Sequence, residues 1–418
     1  MVRLIALPKA SRATLLGITT ESTGDKRATL AAAPPEAAAD DGLKSIGLEE
    51  TTPDKRTDVE SHSTFERLER LDGYIVETDS EQQTEQAIQI LEDDHLVVPD
   101  IYLELPRAML DEDRVRLRPR SFAWPSASGV AEAHANGATG EGVIVGVIDT
   151  GVDAGHLEIR DKHIEYRYVP LDPFNNPLRA VHGFDVDGHG THVCGIIAGD
   201  RFGVAPGVDL MAASVIESET IRTSLVRIVL ALDWMLQELT RDENLERPAI
   251  INMSLGFRPE WLQADDRRQV VVMIEDLLNT LLTDFDVLPV VAIGNDGPGV
   301  ARLPGTLDSV LSAGAVDEQL SPAWFTGSSA AGEPVNPDIA GYGVDILSSL
   351  ERDPGGWSWY ARMSGTSMAT PYVVGIAALA ASVDPTLKGA ALRQHLIGTA
   401  LPIDPPDIRN GAGLARIT

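Results

Sequence analysis

Residues 363–371 read Met363-Ser364-Gly365-Thr366-Ser367-Met368-Ala369-Thr370-Pro371. A serine thus lies among small residues, directly before the apolar run 372–379. Alanine is frequent in that run, which favours a buried helix over a strand. Ser367 is therefore predicted at a helix N-terminus, where unpaired backbone N–H groups and the positive end of the helix dipole lie. A hydroxyl there either caps the helix or acts as a nucleophile, and this stretch alone leaves both roles open.

Length, charge and cysteine content limit the classes of protein that fit. The chain has 418 residues, enough for a large core and more than one domain. Its 34 basic and 63 acidic residues give a net charge of −29, which argues against nucleic-acid binding. No apolar run is long enough to span a membrane. The single cysteine, Cys194, excludes an internal disulfide. The first residues lack a signal-peptide pattern, so we expect a cytoplasmic protein, with secretion by another route left open.

The N-terminal third divides into three parts. Residues 1–72 are predicted to be a low-complexity, disordered extension, because their composition buries too little apolar surface to offset the entropy of ordering. Residues 73–105 have the pattern of a small α+β unit, with strands near 74–78, 95–98 and 101–103 and a helix over 84–91. Residues 106–120 are rich in arginine, contain the acidic triplet Asp111-Glu112-Asp113, and are predicted to be a linker.

Residues 121–418 alternate strands with helices. Buried strands are predicted at 142–148, 209–215, 249–254 and 287–293, and helices at 193–198, 225–239 and 269–282. This order predicts an α/β fold, a mostly parallel sheet with helices on both faces. Ligands bind at the carboxyl ends of the strands in such sheets, and those ends are predicted to carry Asp149, Ser254 and Asn295.

Three side chains could form a nucleophilic site. Asp149 is predicted at a strand end, and His189 and Ser367 at helix starts. A serine hydroxyl needs a base within hydrogen-bond reach, and histidine suits because its pKa lies near neutral pH. A carboxylate on the other ring nitrogen would fix the tautomer of the imidazole and stabilise its charged form.

Five stretches of the chain resemble, in the same order, the signature blocks of the subtilisin-like serine proteases. They lie within about residues 121–400 and read Asp149-Thr150-Gly151-Val152-Asp153, His189-Gly190-Thr191-His192-Val193, Asn252-Met253-Ser254-Leu255-Gly256, Gly294-Asn295-Asp296-Gly297 and Gly365-Thr366-Ser367-Met368-Ala369-Thr370-Pro371. Five blocks in this order are a specific signal, whereas any single block would be weak.

The resemblance implies a catalytic role for four residues. Asp149, His189 and Ser367 would be the triad of a serine endopeptidase that works through an acyl-enzyme. The side chain of Asn295 and the backbone N–H of Ser367 would form the oxyanion hole. In subtilisin the loss of this asparagine costs about 10²–10³ in turnover.

The resemblance also implies how substrate would bind. The segment that pairs with an extended substrate backbone would be Ser254-Leu255-Gly256. One wall of the primary specificity pocket would be Ala292-Ile293-Gly294. In the family, the second residue before the following proline lies at the pocket base, and here that residue is Arg302. Its guanidinium predicts a preference for Glu or Asp on the acyl side of the cut bond, unless Asp296 pairs with it.

The unit at 73–105 resembles the inhibitory prodomain of the same family. The resemblance implies a self-processed zymogen, in which the N-terminal prodomain is an intramolecular inhibitor and the linker at 106–120 contains the cleavage site. The acidic triplet at 111–113 is the candidate site. The implied substrate is a polypeptide, and no cofactor is implied.

One departure from the family concerns metal binding. Many relatives insert a calcium-binding loop after the helix that begins near His189. The connection at 199–206 is too short to supply several of the six to eight oxygen ligands that calcium takes, so no metal site is predicted.

Other interpretations fit single motifs. Asp149-Thr150-Gly151 is also the nucleophile-bearing triplet of aspartic proteases, but those need a second triplet and a β-rich chain. His189 and His192 could bind a metal, although the glutamate of a zincin is missing. The alternative for the whole chain is a catalytically weak peptide-binding or scaffold protein that retains the fold, but a pure binder needs no oxyanion donor. A third reading, an intracellular protease devoted to one partner substrate, differs only in specificity.

Overall fold

The N-terminal part of the chain is built around one antiparallel sheet. In this computed structural model the described residues are 2–9, 27–28, 30, 39–52, 63–103, 108–110, 122–171, 181–217, 223–330 and 332–418. The first five strands are β1 Val2–Pro8, β2 Glu49–Thr51, β3 Thr64–Leu68, β4 Gly73–Thr78 and β5 His95–Pro99, and the first two helices are α1 Asp40–Ser45 and α2 Glu81–Leu91. The strands form a five-stranded sheet in the order β2-β3-β4-β1-β5. We call these elements the N-terminal unit.

The predicted disorder of residues 1–72 is wrong for the described part of that range. Strand β1 lies inside the sheet, antiparallel to β4 on one side and to β5 on the other. Its apolar run Leu4–Leu7 is buried. The error has a physical reason. A short apolar run is by itself weak evidence for a strand, and the strands that bury this run follow some 70 to 90 residues later in the chain. The low-complexity run at 31–38 lies outside the described residues.

The rest of the chain contains the remaining strands and helices. The strands are β6 Tyr102–Leu103, β7 Met109–Leu110, β8 Ile144–Asp149, β9 Ile164–Tyr168, β10 Asp209–Ser214, β11 Thr223–Ser224, β12 Ala249–Met253, β13 Val287–Ala292, β14 Leu311–Val316, β15 Ile339–Tyr342, β16 Ile346–Leu350 and β17 Trp359–Ser364. The helices are α3 Val130–Ala135, α4 His189–Ala198, α5 Leu225–Leu239, α6 Ala264–Thr283, α7 Thr366–Val383 and α8 Gly389–Thr399.

Seven of these strands form one parallel sheet in the order β15-β14-β13-β12-β8-β10-β9. The prediction of an α/β fold is confirmed. Helix α5 has the predicted bounds, and α4 begins at His189, which was predicted at a helix start. Asp149 is the last residue of β8, an interior strand of the sheet, as predicted.

Two hydrophobic cores lie on opposite faces of this sheet. In β8, Ile144 and Ile148 pack on the side of α5 and α6, while Val145 and Val147 pack on the side of α4, α7 and α8. Alternate residues of a strand point to opposite faces, so a continuously apolar strand indicates helices on both sides. The N-terminal unit joins the first core, because residues of its sheet cluster with residues of α5 and α6.

Short strands connect residues 102–110 to residues 122–418, which we call the large unit. Strand β6 pairs with β11, and β7 pairs antiparallel with β17, which itself pairs with β16. The predicted linker at 106–120 therefore contains a strand at Met109–Leu110. Apart from Ala108, the other linker residues, including the acidic triplet at 111–113, lie outside the described residues.

Helix α7 is long and apolar enough to cross a membrane by length and composition. It is also almost entirely buried inside the protein, as expected of the core helix of a soluble fold. Among the described residues it is the only helix with this property.

Candidate active site

Asp149 and His189 form a buried hydrogen-bonded pair. Asp149 Oδ1 lies 2.7 Å from His189 Nδ1, and both side chains are almost completely buried. Asp149 also accepts a hydrogen bond of 2.7 Å from the backbone N–H of Thr150. A carboxylate on Nδ1 fixes the imidazole so that Nε2 is left to exchange a proton.

Close backbone approach brings the start of α4 to the end of β8. The backbone N–H of Gly190 donates to Thr150 Oγ1 at 2.8 Å. A Cβ on Gly190 would lie only 2.1 Å from the carbonyl oxygen of Gly151, so this position requires glycine. The sequence Asp149-Thr150-Gly151 therefore positions the carboxylate and also docks the helix that carries His189.

The two histidines of α4 differ in protonation. Burial lowers the pKa of His189, but the charge of Asp149 and its hydrogen bond outweigh burial and raise the pKa to about 9. Burial lowers the pKa of His192 to about 3, so this ring is neutral, and its Nε2 lies 3.2 Å from the carbonyl oxygen of Ala361. Burial also raises the pKa of the Cys194 thiol on the same helix.

Ser367 lies in the first turn of α7 and is fully buried. Proline at 371 has no backbone N–H, so the usual helical bond to the carbonyl of Ser367 is missing. The hydroxyl of Ser254 donates to that carbonyl at 3.2 Å, and Asn252 Nδ2 in turn donates to Ser254 Oγ at 3.1 Å. The side chain of Ser254 therefore supports the backbone of the serine.

Asn295 is held beside the same helix start. Its Oδ1 accepts hydrogen bonds of 2.8 Å from both the backbone N–H and the hydroxyl of Thr366. Because Thr366 donates to the amide oxygen, the oxygen and nitrogen of the Asn295 amide can be told apart. The nitrogen, Nδ2, points towards Gly365, and a Cβ added to Gly365 would lie 3.3 Å from it. The amide nitrogen thus lies beside Gly365, two residues before Ser367.

One polar atom of His189 and one of Ser367 are buried without a hydrogen-bond partner. His189 Nε2 and Ser367 Oγ make no hydrogen bond to any described residue. Buried polar atoms are nearly always paired, so each exception calls for an explanation, and a catalytic role is one such explanation. Catalytic hydrogen bonds are often long in the absence of substrate and tighten when it binds.

The predicted substrate-binding residues lie beside these groups. Ser254 and Leu255 follow strand β12 and are buried, while Ala292 is the last residue of strand β13 and Ile293 and Gly294 follow it. Gly294 has a φ of +110°, and a Cβ there would lie 2.9 Å from Arg302 Cγ. The stem of Arg302 therefore lies against the predicted pocket wall.

The guanidinium of Arg302 forms an ion pair with Asp296. Arg302 Nε lies 2.6 Å from Asp296 Oδ2, and its Nη2 lies 3.3 Å from Oδ1. Arg258 contacts the same carboxylate. Burial raises the pKa of Asp296, but the two arginines outweigh it and lower the pKa below its ordinary value. The argument for an acidic preference required a free guanidinium, and this ion pair removes that basis. The preference itself stays a prediction.

The segment 108–110 passes directly by the site. A Cβ on Gly365 would lie 3.5 Å from Ala108 Cα, next to the amide of Asn295. The residues that follow, Met109 and Leu110, pair with Ser364 and Met363 of β17. An extended piece of this chain therefore lies along the strand that leads into Ser367.

One supporting residue was missed from the sequence. Asp185 accepts hydrogen bonds from the backbone N–H groups of Gly188 and Thr191 and from the Thr191 hydroxyl, at 3.0, 2.8 and 2.7 Å. It stabilises the start of α4, where a negative charge is favoured by the helix dipole. An aspartate a few residues before a predicted helix is the signal that could have indicated it.

No group of three or more His, Cys, Asp or Glu residues that could hold a metal ion occurs within the described ranges. His189 and His192 in particular are engaged with Asp149 and with the Ala361 carbonyl. The expected absence of a calcium site stays a prediction.

Comparison with known proteins gives consistent results. The sequence profile of the subtilase family matches residues 140–416. The subtilisin-like protease PopC of Myxococcus xanthus (strain DK1622) is 47% identical over 298 residues, which are 70% of this chain and 62% of that protein. M-protease of Shouchella clausii (strain KSM-K16) is 32% identical over 274 residues, 64% of this chain and 61% of that protein. Subtilisin Savinase of Lederbergia lenta is 32% identical over 288 residues, 68% of this chain and 91% of that protein. The matched region thus spans about three fifths of the length of the first two relatives.

Proposed function

Because this chain belongs to the subtilase family, we propose that it is a serine endopeptidase whose catalytic triad is Asp149, His189 and Ser367. The observation that carries the proposal is the buried 2.7 Å hydrogen bond between Asp149 Oδ1 and His189 Nδ1. It leaves Nε2 available as a base, and a buried serine hydroxyl without a partner begins the neighbouring helix. The protease names of the relatives support the same reaction.

The reaction follows from these groups. His189 Nε2 accepts the proton of Ser367 as Oγ attacks the carbonyl carbon of the peptide bond. The imidazolium then gives this proton to the leaving amine, and an acyl-enzyme remains. Water, activated by the same nitrogen, hydrolyses the ester and restores Ser367. Asp149 keeps Nδ1 protonated and stabilises the imidazolium through its charge.

Asn295 supplies the proposed oxyanion donor. Its oxygen is bound to Thr366, so rotation that would turn Nδ2 away from the site would break two hydrogen bonds. A donor fixed in advance stabilises the tetrahedral intermediate without reorganisation during the reaction. The backbone N–H of Ser367, at the positive end of α7, is the second proposed donor.

Hydrolysis of an unfolded polypeptide by the purified protein tests this function. Ser367→Ala is expected to abolish hydrolysis. Ser364→Ala is the matched control, because it removes a neighbouring hydroxyl that accepts a hydrogen bond from Asp345 N. Peptide binding without hydrolysis by the wild type would instead favour the alternative, a peptide-binding or scaffold protein that retains the fold.

We also propose that the chain is a zymogen cut by its own active site. The N-terminal unit packs on α5 and α6, and residues 108–110 lie along β17 next to Asn295 and Gly365. This position supports cleavage of the bond that precedes Ala108. After cleavage, the N-terminal unit would act as an inhibitor held by contacts alone.

N-terminal sequencing of the processed protein tests the cleavage site. The expected new N-terminus is Ala108, and Ser367→Ala is expected to remain full length. A new N-terminus within the acidic triplet 111–113 would instead support the site expected from the sequence. Normal processing of purified Ser367→Ala would show that another protease makes the cut.

A further inference from the structure

Arg27 of the N-terminal segment is buried in a site made of backbone carbonyl oxygens. Its guanidinium reaches the carbonyl of Phe285 through Nε at 3.1 Å and through Nη2 at 2.8 Å. Its Nη1 reaches the carbonyls of Arg247, Asn244 and Leu245 at 2.9, 3.3 and 3.4 Å. Only 2% of the residue is exposed.

The geometry of these carbonyls suits a guanidinium. Four oxygens from two separate loops face one planar group, and arginine is the side chain whose five donors spread in a fixed fork. Phe285 lies just beyond the C-terminus of α6, where unpaired carbonyls and the negative end of the helix dipole favour a cation. We call the four carbonyls of Asn244, Leu245, Arg247 and Phe285 the guanidinium site.

The guanidinium site lies away from the proposed triad. Phe285 lies two residues before the start of β13, and Arg247 lies two residues before the start of β12, so the site is at the amino ends of these strands. Ser254 and Asn295 follow the carboxyl ends of the same strands. Leu30, three residues after Arg27, is fully buried in the same hydrophobic cluster as Phe285 and Leu239. The segment is thus anchored by one cation and one apolar side chain.

We propose that the guanidinium site is a latch that retains the N-terminal part of the chain after it is severed. The contact does not involve the connecting segment around 108, so cutting that segment leaves the latch intact. The inference rests on the proposed self-processing, because only a cut chain needs a non-covalent anchor. Release of Arg27 would leave an open site on the large unit, and this site could bind the guanidinium group of a peptide.

The test measures how fast the severed N-terminal fragment dissociates. A recognition sequence for an added protease, inserted at 112–120 in Ser367→Ala, allows the cut to be made whether or not the chain cuts itself. Arg27→Ala is expected to speed dissociation at least tenfold. The dissociation rate of the Arg27→Lys fragment is expected to lie between those of wild type and Arg27→Ala, because an ammonium has three donors at one point and cannot reach four carbonyls at once.

Arg67→Ala is the matched control. Arg67 forms ion pairs with Asp40 and Glu50 inside the N-terminal unit, so its loss removes the same charge without touching the guanidinium site. The Arg67→Ala substitution is expected to change the dissociation rate of the fragment less than twofold. N-acetyl-arginine amide at millimolar concentration is expected to lower retention of the wild-type fragment, and the lysine analogue to have less effect.

Two results would overturn the latch. One is an equal dissociation rate for the wild-type and Arg27→Ala fragments. The other is an equal increase of that rate in Arg67→Ala and Arg27→Ala. Circular dichroism of the uncut variants shows whether each has folded. The measurement does not use the enzyme's own activity, so its failure is distinct from a failure of the proposed function.

Discussion

Asp233 of α5 joins the N-terminal unit to the large unit and makes this contact dependent on pH. Its carboxylate accepts hydrogen bonds from the backbone N–H groups of Glu69, Arg70 and Leu71 at 3.2, 2.7 and 3.1 Å. Gln237 on the same helix donates to it at 2.9 Å. Burial raises the pKa of Asp233 to about 6, against an ordinary value of 3.8, although these hydrogen bonds oppose the shift.

The sign and size of the effect follow from linkage. Undocking exposes Asp233 and returns its pKa towards 3.8, so the docked state binds the proton more tightly. Docking is therefore strongest below pH 3.8 and weakens as the pH rises to 6, above which it stays constant. A difference of about two units corresponds to about 3 kcal/mol, or about a hundredfold in the dissociation constant.

The assay compares wild type with Asp233→Asn. The dissociation constant of the severed N-terminal fragment is measured between pH 4 and 8, in the Ser367→Ala background with the added-protease site. Asp100 also faces α5, and burial raises its pKa as well, so it contributes a pH dependence that both proteins share. As the pH rises, the dissociation constant of the wild-type fragment is expected to increase by about a hundredfold more than that of the variant. Equal pH dependence of the two proteins would refute the role of Asp233.

Three further predictions concern the proposed active site. Asn295→Ala is expected to lower kcat by about 10²–10³ with little change in KM, measured in steady-state hydrolysis, because only the transition state carries the oxyanion. The pH profile of kcat/KM is expected to rise with a midpoint above pH 6.5, because the raised pKa of His189 keeps it protonated and inactive at lower pH; a midpoint at or below 6.5 would contradict this. In a peptide library, Asp296→Asn is expected to remove the carboxylate that pairs with Arg302 and to raise the acceptance of Glu at the acyl-side position about tenfold over wild type, whereas Arg302→Ser with Asp296→Asn should lose this gain.

Much of the large unit could be predicted because its signals are local. The apolar run before Asp149 is an interior parallel strand, and α5 has the bounds that its periodicity indicated. The sequence placed Asp149 at a strand end and His189 at a helix start, and the two side chains are in contact. This contact could be expected because the carboxyl ends of parallel strands meet at one edge of the sheet. Ser254 and Asn295 follow the carboxyl ends of β12 and β13 in the same way, whereas Ser367 follows the antiparallel strand β17, and its place in the triad stays a proposal.

The features that were missed depend on contacts between distant parts of the chain. Strand β1 is ordered by partners that follow it by some 70 to 90 residues, and β7 is ordered by β17 about 250 residues later. Arg27 finds its acceptors more than 200 residues away. Backbone carbonyls have no sequence signature, so no motif could indicate the guanidinium site. Periodicity describes which face of an element is buried, and it does not describe what buries it.

Labelling of Ser367 tests the central claim most directly. The processed protein is treated with a fluorophosphonate probe, and the labelled peptide is mapped by mass spectrometry. The account predicts a single adduct on Ser367, which is lost together with hydrolysis in Ser367→Ala and retained in Ser364→Ala. Peptide hydrolysis that persists without an adduct on Ser367, or an adduct on a different residue, would contradict it.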